Sequence, residues 1–320
     1  MRARFGELYN FGQQETGHFD SRWRGLDLTS AELSACSRLF SSTVVQELAR
    51  RRRSASFARL VAETGLLTGR RSLSIVGDVF DAAFDFLKRT GSRDEYIYRA
   101  ALTHRVLLGR HNLRTATMLS EFRAGSSKAD VVILNGTTTA FEIKSDRDRL
   151  DRLERQVADY RRVFANVVVI ASQAHVERIK HTLPPDVGIM CLTPRYQIST
   201  LREPVDRPER ISPLAVMESV RISESKAMLK LIGHPVPDVP NTEIYQALKS
   251  TFEKLSPELV HGAMLETLKI TRSQLPLAGL LNRLPRSLQA AVLTVPLQRR
   301  DHERLLAALA TPLSEALLWA

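Results

Sequence analysis

The sequence is poor in cysteine and lacks long apolar runs, and each shortage excludes a class of protein. Only two cysteines occur, Cys36 and Cys191, which excludes a disulfide scaffold and a cysteine-rich zinc module. The longest apolar runs, such as Leu305–Ala310, are about six residues and far shorter than a membrane span. The first residues show no apolar segment followed by a cleavage site, so we expect no secretory signal. These absences predict a soluble, cytoplasmic protein.

The composition is that of a folded protein with a basic excess. Hydrophobic residues make up 43% and charged residues 25% of the chain, unlike a disordered protein. A length of 320 residues suggests two or three domains. The net charge is +11, and 37 of the 46 basic residues are arginine, whose forked guanidinium suits phosphate. The arginine excess indicates either a nucleic-acid partner or a GC-rich genome, and composition alone does not favour one over the other.

The spacing of apolar residues divides the chain into four parts. Residues 1–94 are expected to be helical, because apolar residues recur every three or four positions. Residues 95–195 mix helix and strand patterns and are expected to form an α/β domain. Residues 196–240 are rich in proline and predict a linker, and residues 241–320 are again helical. In the first part, Arg50–Arg53 is either a nucleic-acid-binding element or a solvated helix end.

The central part predicts the element order α-β-β-β-α-β-α-β, a mixed sheet with helices around it. Asn135-Gly136 predicts a two-residue type I′ hairpin, since both central residues of that turn need a positive φ. A long helix is expected at Asp146–Phe164. The other expected elements are a helix at Tyr96–Leu108, strands at Thr115–Phe122, Asp130–Leu134, Thr138–Lys144, Val167–Ala171 and Gly188–Leu192, and a helix at His175–Thr182.

Three charged residues on the predicted hairpin carry the chemical signal. Asp130 begins one strand, and Glu142 and Lys144 end the strand that pairs with it. Side chains alternate along a strand, so Glu142 and Lys144 share a face and Asp130 lies near the same end of the sheet. Two carboxylates and an amine suit metal-assisted phosphodiester hydrolysis, with Mg²⁺ or Mn²⁺ as the cofactor. Asp130, Glu142 and the carbonyl of Ile143 would bind the metal, and Lys144 would hold the attacking water.

Asp130 followed by Glu142-Ile-Lys144 resembles the core of the PD-(D/E)XK nuclease superfamily, in which the order α-β-β-β-α-β builds a restriction-endonuclease-like fold. The helix with Gln156 and Tyr160 four residues later resembles the RecB-type branch, and the resemblance gives both residues a catalytic or orienting role. Residues 95–195 are therefore expected to be a nuclease-like domain. Glu121–Tyr160 is also similar to a largely uncharacterised bacterial family of presumed nucleases, a resemblance that extends through residues 30–200 and more loosely to the carboxyl-terminal helices.

The sequence departs from the superfamily pattern at two places. Ala129 stands where the motif has proline. The superfamily often has an acidic residue on the first core helix, where Glu95 is the candidate, but Glu121 fits the nearer resemblance and is favoured as the additional metal ligand. Arg149 and Arg152 are predicted to contact phosphates, and intrahelical pairing with Asp148 or Glu154 is the alternative.

The leading hypothesis is a bacterial, Mg²⁺-dependent nuclease that cleaves DNA in repair or phage defence. DNA is preferred to RNA only because of the resemblance. The helical flanks could contact a protein partner, no membrane is expected, and the oligomeric state is not predicted. The alternative is a non-cleaving nucleic-acid-binding or adaptor protein on a nuclease fold. A helical interaction protein without nucleic acid is a third possibility, which salt-independent binding would indicate.

Overall fold

A six-stranded mixed sheet lies at the centre of the molecule, with its strands in chain order from β1 to β6. The computed structural model describes residues 27–68, 73–89 and 91–320. Strands β3, β4 and β5 run parallel, and the other neighbouring pairs are antiparallel. The strands are β1 (Thr117–Ala124), β2 (Ser127–Leu134), β3 (Thr138–Lys144), β4 (Asn166–Ala171), β5 (Gly188–Leu192) and β6 (Ile198–Arg202).

Helices precede, interrupt and follow the sheet. Helix α5 continues through a π-helical turn, Thr103–Leu107, into α6. The α-helices that precede β5 in the described residues are α1 (Ser30–Leu39), α2 (Ser42–Arg51), α3 (Ala55–Glu63), α4 (Val76–Leu87), α5 (Glu95–Leu102), α6 (Leu108–Arg110), α7 (Leu153–Arg161) and α8 (Val176–Thr182). The order α-β-β-β-α-β-α-β expected for the central part is therefore present, and residues 1–26 of the expected helical region lie outside the described residues.

The carboxyl-terminal part contains eight helices within the described residues. They are α9 (Pro213–Ser219), α10 (Ile222–Leu231), α11 (Ile244–Phe252), α12 (Pro257–Thr271), α13 (Ala278–Leu281), α14 (Arg286–Leu293), α15 (Arg299–Leu309) and α16 (Leu313–Ala316). The segment 196–240, expected as a linker, contains β6, α9 and α10. Throughout the described ranges, no helix has the length and apolar character that crossing a membrane requires.

Two apolar cores lie on opposite faces of the sheet. One contains residues of α1–α5 and of α13–α16, so that the first and last helices of the described chain pack together. The other contains residues of α7–α12. The sheet is covered on both faces, which explains why its central strands are almost continuous apolar runs rather than alternating ones. All residues of β3 are buried, and its polar residues therefore need partners inside the protein.

The hairpin between β2 and β3 is present, but its predicted turn type is wrong. Three residues, 135–137, connect the paired residues Leu134 and Thr138. Gly136 has a φ of +94°, whereas Asn135 is absent from the described residues with a positive φ. A type I′ turn needs two such residues. The Asn135 N–H instead donates to the Thr137 carbonyl at 3.1 Å, which closes the connection locally.

The predicted long helix at Asp146–Phe164 is also shorter in the structure. Helix α7 begins at Leu153, and residues 146–152 form turns before it. The Asp148 carboxylate accepts hydrogen bonds from the Ser145 N–H at 2.8 Å and from the Ser145 hydroxyl at 2.6 Å. Such local side-chain contacts compete with helix formation. The first half of the expected helix is therefore a loop that follows directly after β3.

Candidate functional site

The site lies where β2 and β3 separate. Their paired register ends at Val131 and Phe141, one residue before Asp130 on one strand and Glu142 on the other. Beyond this point the Ile143 N–H donates to Asp130 Oδ2 at 2.7 Å. A carboxylate thus takes the place of a backbone acceptor in the ladder, and Asp130 is fixed next to the residues that end β3.

Glu142 and Lys144 form a buried ion pair at the end of β3. Lys144 Nζ lies 2.8 Å from Glu142 Oε1, and their side chains are 9% and 2% exposed. Lys144 Nζ also donates to Gln156 Oε1 on α7 at 3.1 Å. Residues two apart on a strand share a face, which explains why both side chains point toward the helix that covers it. The ammonium is therefore held between a carboxylate and an amide.

Tyr160 joins α7 to the same carboxylate. Its hydroxyl lies 2.7 Å from Glu142 Oε2 and 2.8 Å from the Lys128 carbonyl oxygen. Burial raises the pKa of Tyr160, and the neighbouring Glu142 carboxylate raises it further. The hydroxyl therefore keeps its proton and acts as a donor. Gln156 and Tyr160 lie four residues apart on one helical face, so both can reach the end of β3.

The two carboxylates share a poorly solvated position. Burial raises the pKa of Asp130 to about 8, with the negative charge of Glu142 as the second cause. The Ile143 N–H, which favours the charged form, opposes this shift. Two neighbouring carboxyl groups with restricted access to water favour a cation between them. The structure therefore brings together Asp130, Glu142, Lys144, Gln156 and Tyr160, with Ile143 between the two charged residues of β3.

Glu121 has a different environment from these five residues. Its backbone φ is +55°, a value that residues other than glycine rarely adopt. Its carboxylate pairs with Lys128 Nζ at 2.9 Å and is 64% exposed. The Lys128 hydrogen bond lowers the pKa of Glu121. Glu121 lies across the ladder from Asp130, but its side chain is held by an exposed lysine rather than by the buried cluster.

An irregularity in both strands accompanies this conformation. Leu119 and Phe122, three residues apart on β1, pack into the same core, and so do Ala129 and Val132 on β2. Regular alternation would place residues three apart on opposite faces. Both strands therefore lose their regular alternation beside Glu121 and Asp130. The pairing register is the same on both sides of this point, so no residue is inserted, and nothing in the apolar pattern of the sequence indicates the irregularity.

Glu95, the other acidic candidate, begins α5. Its carboxylate pairs with Arg99 one turn later, and its side chain is 51% exposed. Its negative charge also contributes to the raised pKa of Asp130, as a smaller cause than Glu142. Glu95 is thus close enough to act electrostatically on the buried pair.

The two predicted phosphate contacts lie in front of α7. Arg149 pairs with Asp151 at 2.8 Å, a partner that differs from the expected Asp148 or Glu154, and its side chain is 88% exposed. Arg152 is exposed at the amino-terminal boundary of α7, about one turn before Gln156. Both guanidinium groups are therefore near the loop that follows β3 and are accessible to a ligand.

Sequence reasoning missed Ser172 and Lys128. The Ser172 N–H donates to the Lys144 carbonyl at 2.9 Å, and its buried hydroxyl has no hydrogen-bond partner. A signal was available for Ser172, because the carboxyl ends of parallel strands meet at one edge of a sheet and Ser172 directly follows β4.

Within the described ranges, no three His, Cys, Asp or Glu side chains are grouped to hold a metal ion. The acidic residues of the site are therefore the pair Asp130 and Glu142.

Comparison with family models gives a match in the part of the chain that contains the site. The family model described as bacteriophage P4 protein cII matches residues 88–284, which include every site residue named in this subsection. Protein cII of Enterobacteria phage P4 is 34% identical over 80 residues, covering 24% of this chain and 30% of that protein. The aligned segment therefore spans less than a third of that relative. A solved structure of a protein of unknown function from Silicibacter pomeroyi matches 44% of this chain and 94% of its own, with 16% identity and a TM-score of 0.28.

Proposed function

The chain belongs to the bacteriophage P4 protein cII family, and we propose that it is a metal-dependent nuclease that hydrolyses phosphodiester bonds in DNA. One observation supports the proposal above the others. The separated ends of β2 and β3 bring the half-buried Asp130 and the buried Glu142 together beside the buried Lys144, which in turn contacts Gln156. A buried charged pair costs free energy to desolvate, and groups with perturbed pKa values concentrate at functional sites.

We propose that α5, β1–β3, α7 and β4 form a core of the PD-(D/E)XK type. A helix precedes three antiparallel strands, and a second helix leads to a strand parallel to the third. This order is the one that the resemblance predicts. The positions of Asp130, Glu142 and Lys144 on β2 and β3 support the same interpretation.

The donor set fits a hard divalent cation such as Mg²⁺ or Mn²⁺. Asp130 and Glu142 offer carboxylate oxygens, and the carbonyl of Ile143 is the proposed third ligand. Mg²⁺ accepts such a partial set, since it keeps several waters and binds through one or two carboxylates together with substrate phosphate. When bound, the metal would supply Lewis-acid activation of phosphate and of water.

The side chains of the chain have separate roles in this proposal. Lys144 positions the attacking water and stabilises the negative charge that develops on it. Gln156 accepts a hydrogen bond from the Lys144 ammonium and so fixes its direction. Tyr160 donates to Glu142 and so fixes the carboxylate that faces the ligand. Arg149 and Arg152, exposed before α7, contact phosphates of the bound strand. Because each role depends on donors that are already aligned, little rearrangement is needed during the reaction.

The proposal is tested by incubating labelled single-stranded DNA, double-stranded DNA and RNA with the full chain. Mg²⁺ or Mn²⁺ is added in one series and EDTA in the other. We expect cleavage of DNA that requires the metal. Cleavage of RNA alone would show that the substrate preference is wrong. If no substrate is cut but DNA is bound with a steep salt dependence, the alternative of a non-cleaving nucleic-acid-binding protein replaces the nuclease.

The same assay separates the two acidic candidates for a third metal-side carboxylate. We expect Glu95→Gln to lower cleavage by about 10-fold, because its negative charge lies near Asp130 and would help to attract the cation. Glu121→Gln is expected to lower cleavage by less than about 3-fold, since an exposed ion pair contributes little. The measurement is the initial rate as a function of Mg²⁺ concentration. The reverse order of effects would support Glu121, which the sequence favours.

A further inference from the structure

A cluster of arginines lies on the helical layer that packs on the opposite face of the sheet from α7. Arg50–Arg53 end α2 and begin the turn after it, and all four are exposed. Helix α2 packs against α15, and Arg304 Nη1 donates to the Arg50 carbonyl oxygen at 3.3 Å. Arg300, also exposed, precedes Arg304 by one helical turn and shares its face. We call Arg50–Arg53, Arg300 and Arg304 the arginine surface.

Acidic neighbours do not neutralise this surface within the part of the chain that the structure describes. Glu47 accepts hydrogen bonds from Ser54 and Ser56, and its charge compensates at most one of the six cations, Arg51. Glu303 on α15 pairs with Arg283 rather than with the arginine surface. A group of six cations with at most one nearby counter-charge repels itself and attracts a polyanion. The guanidinium groups are also well suited to phosphate, which they can bind through two parallel hydrogen bonds.

A structural role explains only part of this cluster. Arg50 and Arg51 lie in the last turn of α2, where positive charge stabilises the helix dipole. Arg52 has a φ of +60° and a ψ of +12°, the left-handed conformation that ends many helices. Glycine or asparagine is favoured at such a position, and a long side chain is disfavoured. The cation at residue 52 is therefore present against the local conformational preference.

We propose that the arginine surface binds the phosphate backbone of duplex DNA, as a contact separate from the buried acidic cluster. The surface is carried by the end of α2, the turn after it and α15, and the packing of α2 on α15 holds the backbones of its two parts together. This proposal extends the proposed nuclease function by giving it a second point of attachment to its substrate. Binding at the arginine surface does not itself depend on cleavage.

The test measures binding of a short, fluorescently labelled DNA duplex by anisotropy, in EDTA and over a series of NaCl concentrations. We expect Arg51→Gln/Arg300→Gln to weaken binding by about 10-fold and to reduce the slope of log K against log salt by about 2, as two lost phosphate contacts would. Arg52→Gly is expected to weaken binding while the melting temperature stays the same or rises. A residue needed only for folding would not separate affinity from stability in this way.

The matched control is Arg114→Gln/Lys254→Gln, which removes the same charge from exposed residues elsewhere. An equal loss of affinity in the control would show that net charge alone acts, and it would overturn the proposal. Unchanged binding by the arginine variants would overturn it as well, while leaving metal-dependent cleavage intact. If the wild type never cleaves DNA but the arginine variants bind DNA less well, only the proposed nuclease activity is refuted. If anionic vesicles displace the duplex and their binding requires the same arginines, the arginine surface binds a membrane rather than DNA, and the proposal is overturned.

Discussion

Asp130→Asn is expected to lower DNA cleavage by about 10³-fold or more and to raise the stability of the fold. Cleavage falls because one of the two carboxylates that bind the metal is lost. Stability rises because burial and the neighbouring Glu142 raise the pKa of Asp130 to about 8. At neutral pH the folded chain must therefore take up a proton that the unfolded chain does not need, a cost that asparagine lacks. Asparagine can still accept the hydrogen bond from the Ile143 N–H. We expect a gain of about 1–2 kcal/mol in the free energy of unfolding at neutral pH, measured without metal.

The opposite signs of the two effects make this variant informative. Cleavage is measured with Mg²⁺, and urea unfolding is followed with and without the ion. Mg²⁺ should stabilise the wild type and leave Asp130→Asn unchanged, because a ligand stabilises only the state that binds it. Asp238→Asn, at an exposed position in the segment before α11, should match the wild type in both measurements. Full activity in Asp130→Asn would refute its role as a metal ligand, and a large loss of stability would refute the repulsion.

The sequence predicts this part of the fold well because its signals are local. The bounds of β3, Thr138–Lys144, agree with the structure, since a buried run of β-branched and aromatic residues follows a glycine turn. Strand β6 was not predicted. Ile198–Arg202 is only partly buried and lies among prolines, and its strand conformation depends on pairing with β5. Such pairing depends on tertiary contacts rather than on local preference.

The site shows the same division between local and distant causes. Asp130, Glu142 and Lys144 could be placed together from strand alternation and the hairpin alone. The start of α7 could not be predicted in this way, because a local contact between Ser145 and Asp148 replaces seven residues of the expected helix. The orientation of Glu121 was also inaccessible, since it depends on a positive φ and on Lys128 in the neighbouring strand. The direction of a side chain at an irregular point of a strand is therefore the least predictable feature.

Lys144→Met is expected to remove cleavage to about the same extent as Asp130→Asn, but to destabilise the fold. The substitution leaves the buried Glu142 without its cation and the Gln156 oxygen without a donor. Removing one partner of a buried pair costs about 3–5 kcal/mol, because an uncompensated charge remains. Urea unfolding without metal measures this loss, and cleavage with Mg²⁺ measures activity. Mg²⁺ should restore part of the lost stability, since it supplies positive charge beside Glu142.

A second variant separates the charge from the packing of the side chain. Glu142→Gln/Lys144→Met removes both members of the pair, and we expect it to recover most of the stability while remaining inactive. Lys180→Met, which breaks an exposed pair with Glu177 on α8, should change stability by less than about 0.5 kcal/mol. If Lys144→Met unfolds like the wild type, Lys144 does not neutralise Glu142. If it still cleaves DNA at the wild-type rate, the lysine does not hold the attacking water and the proposed chemistry is wrong.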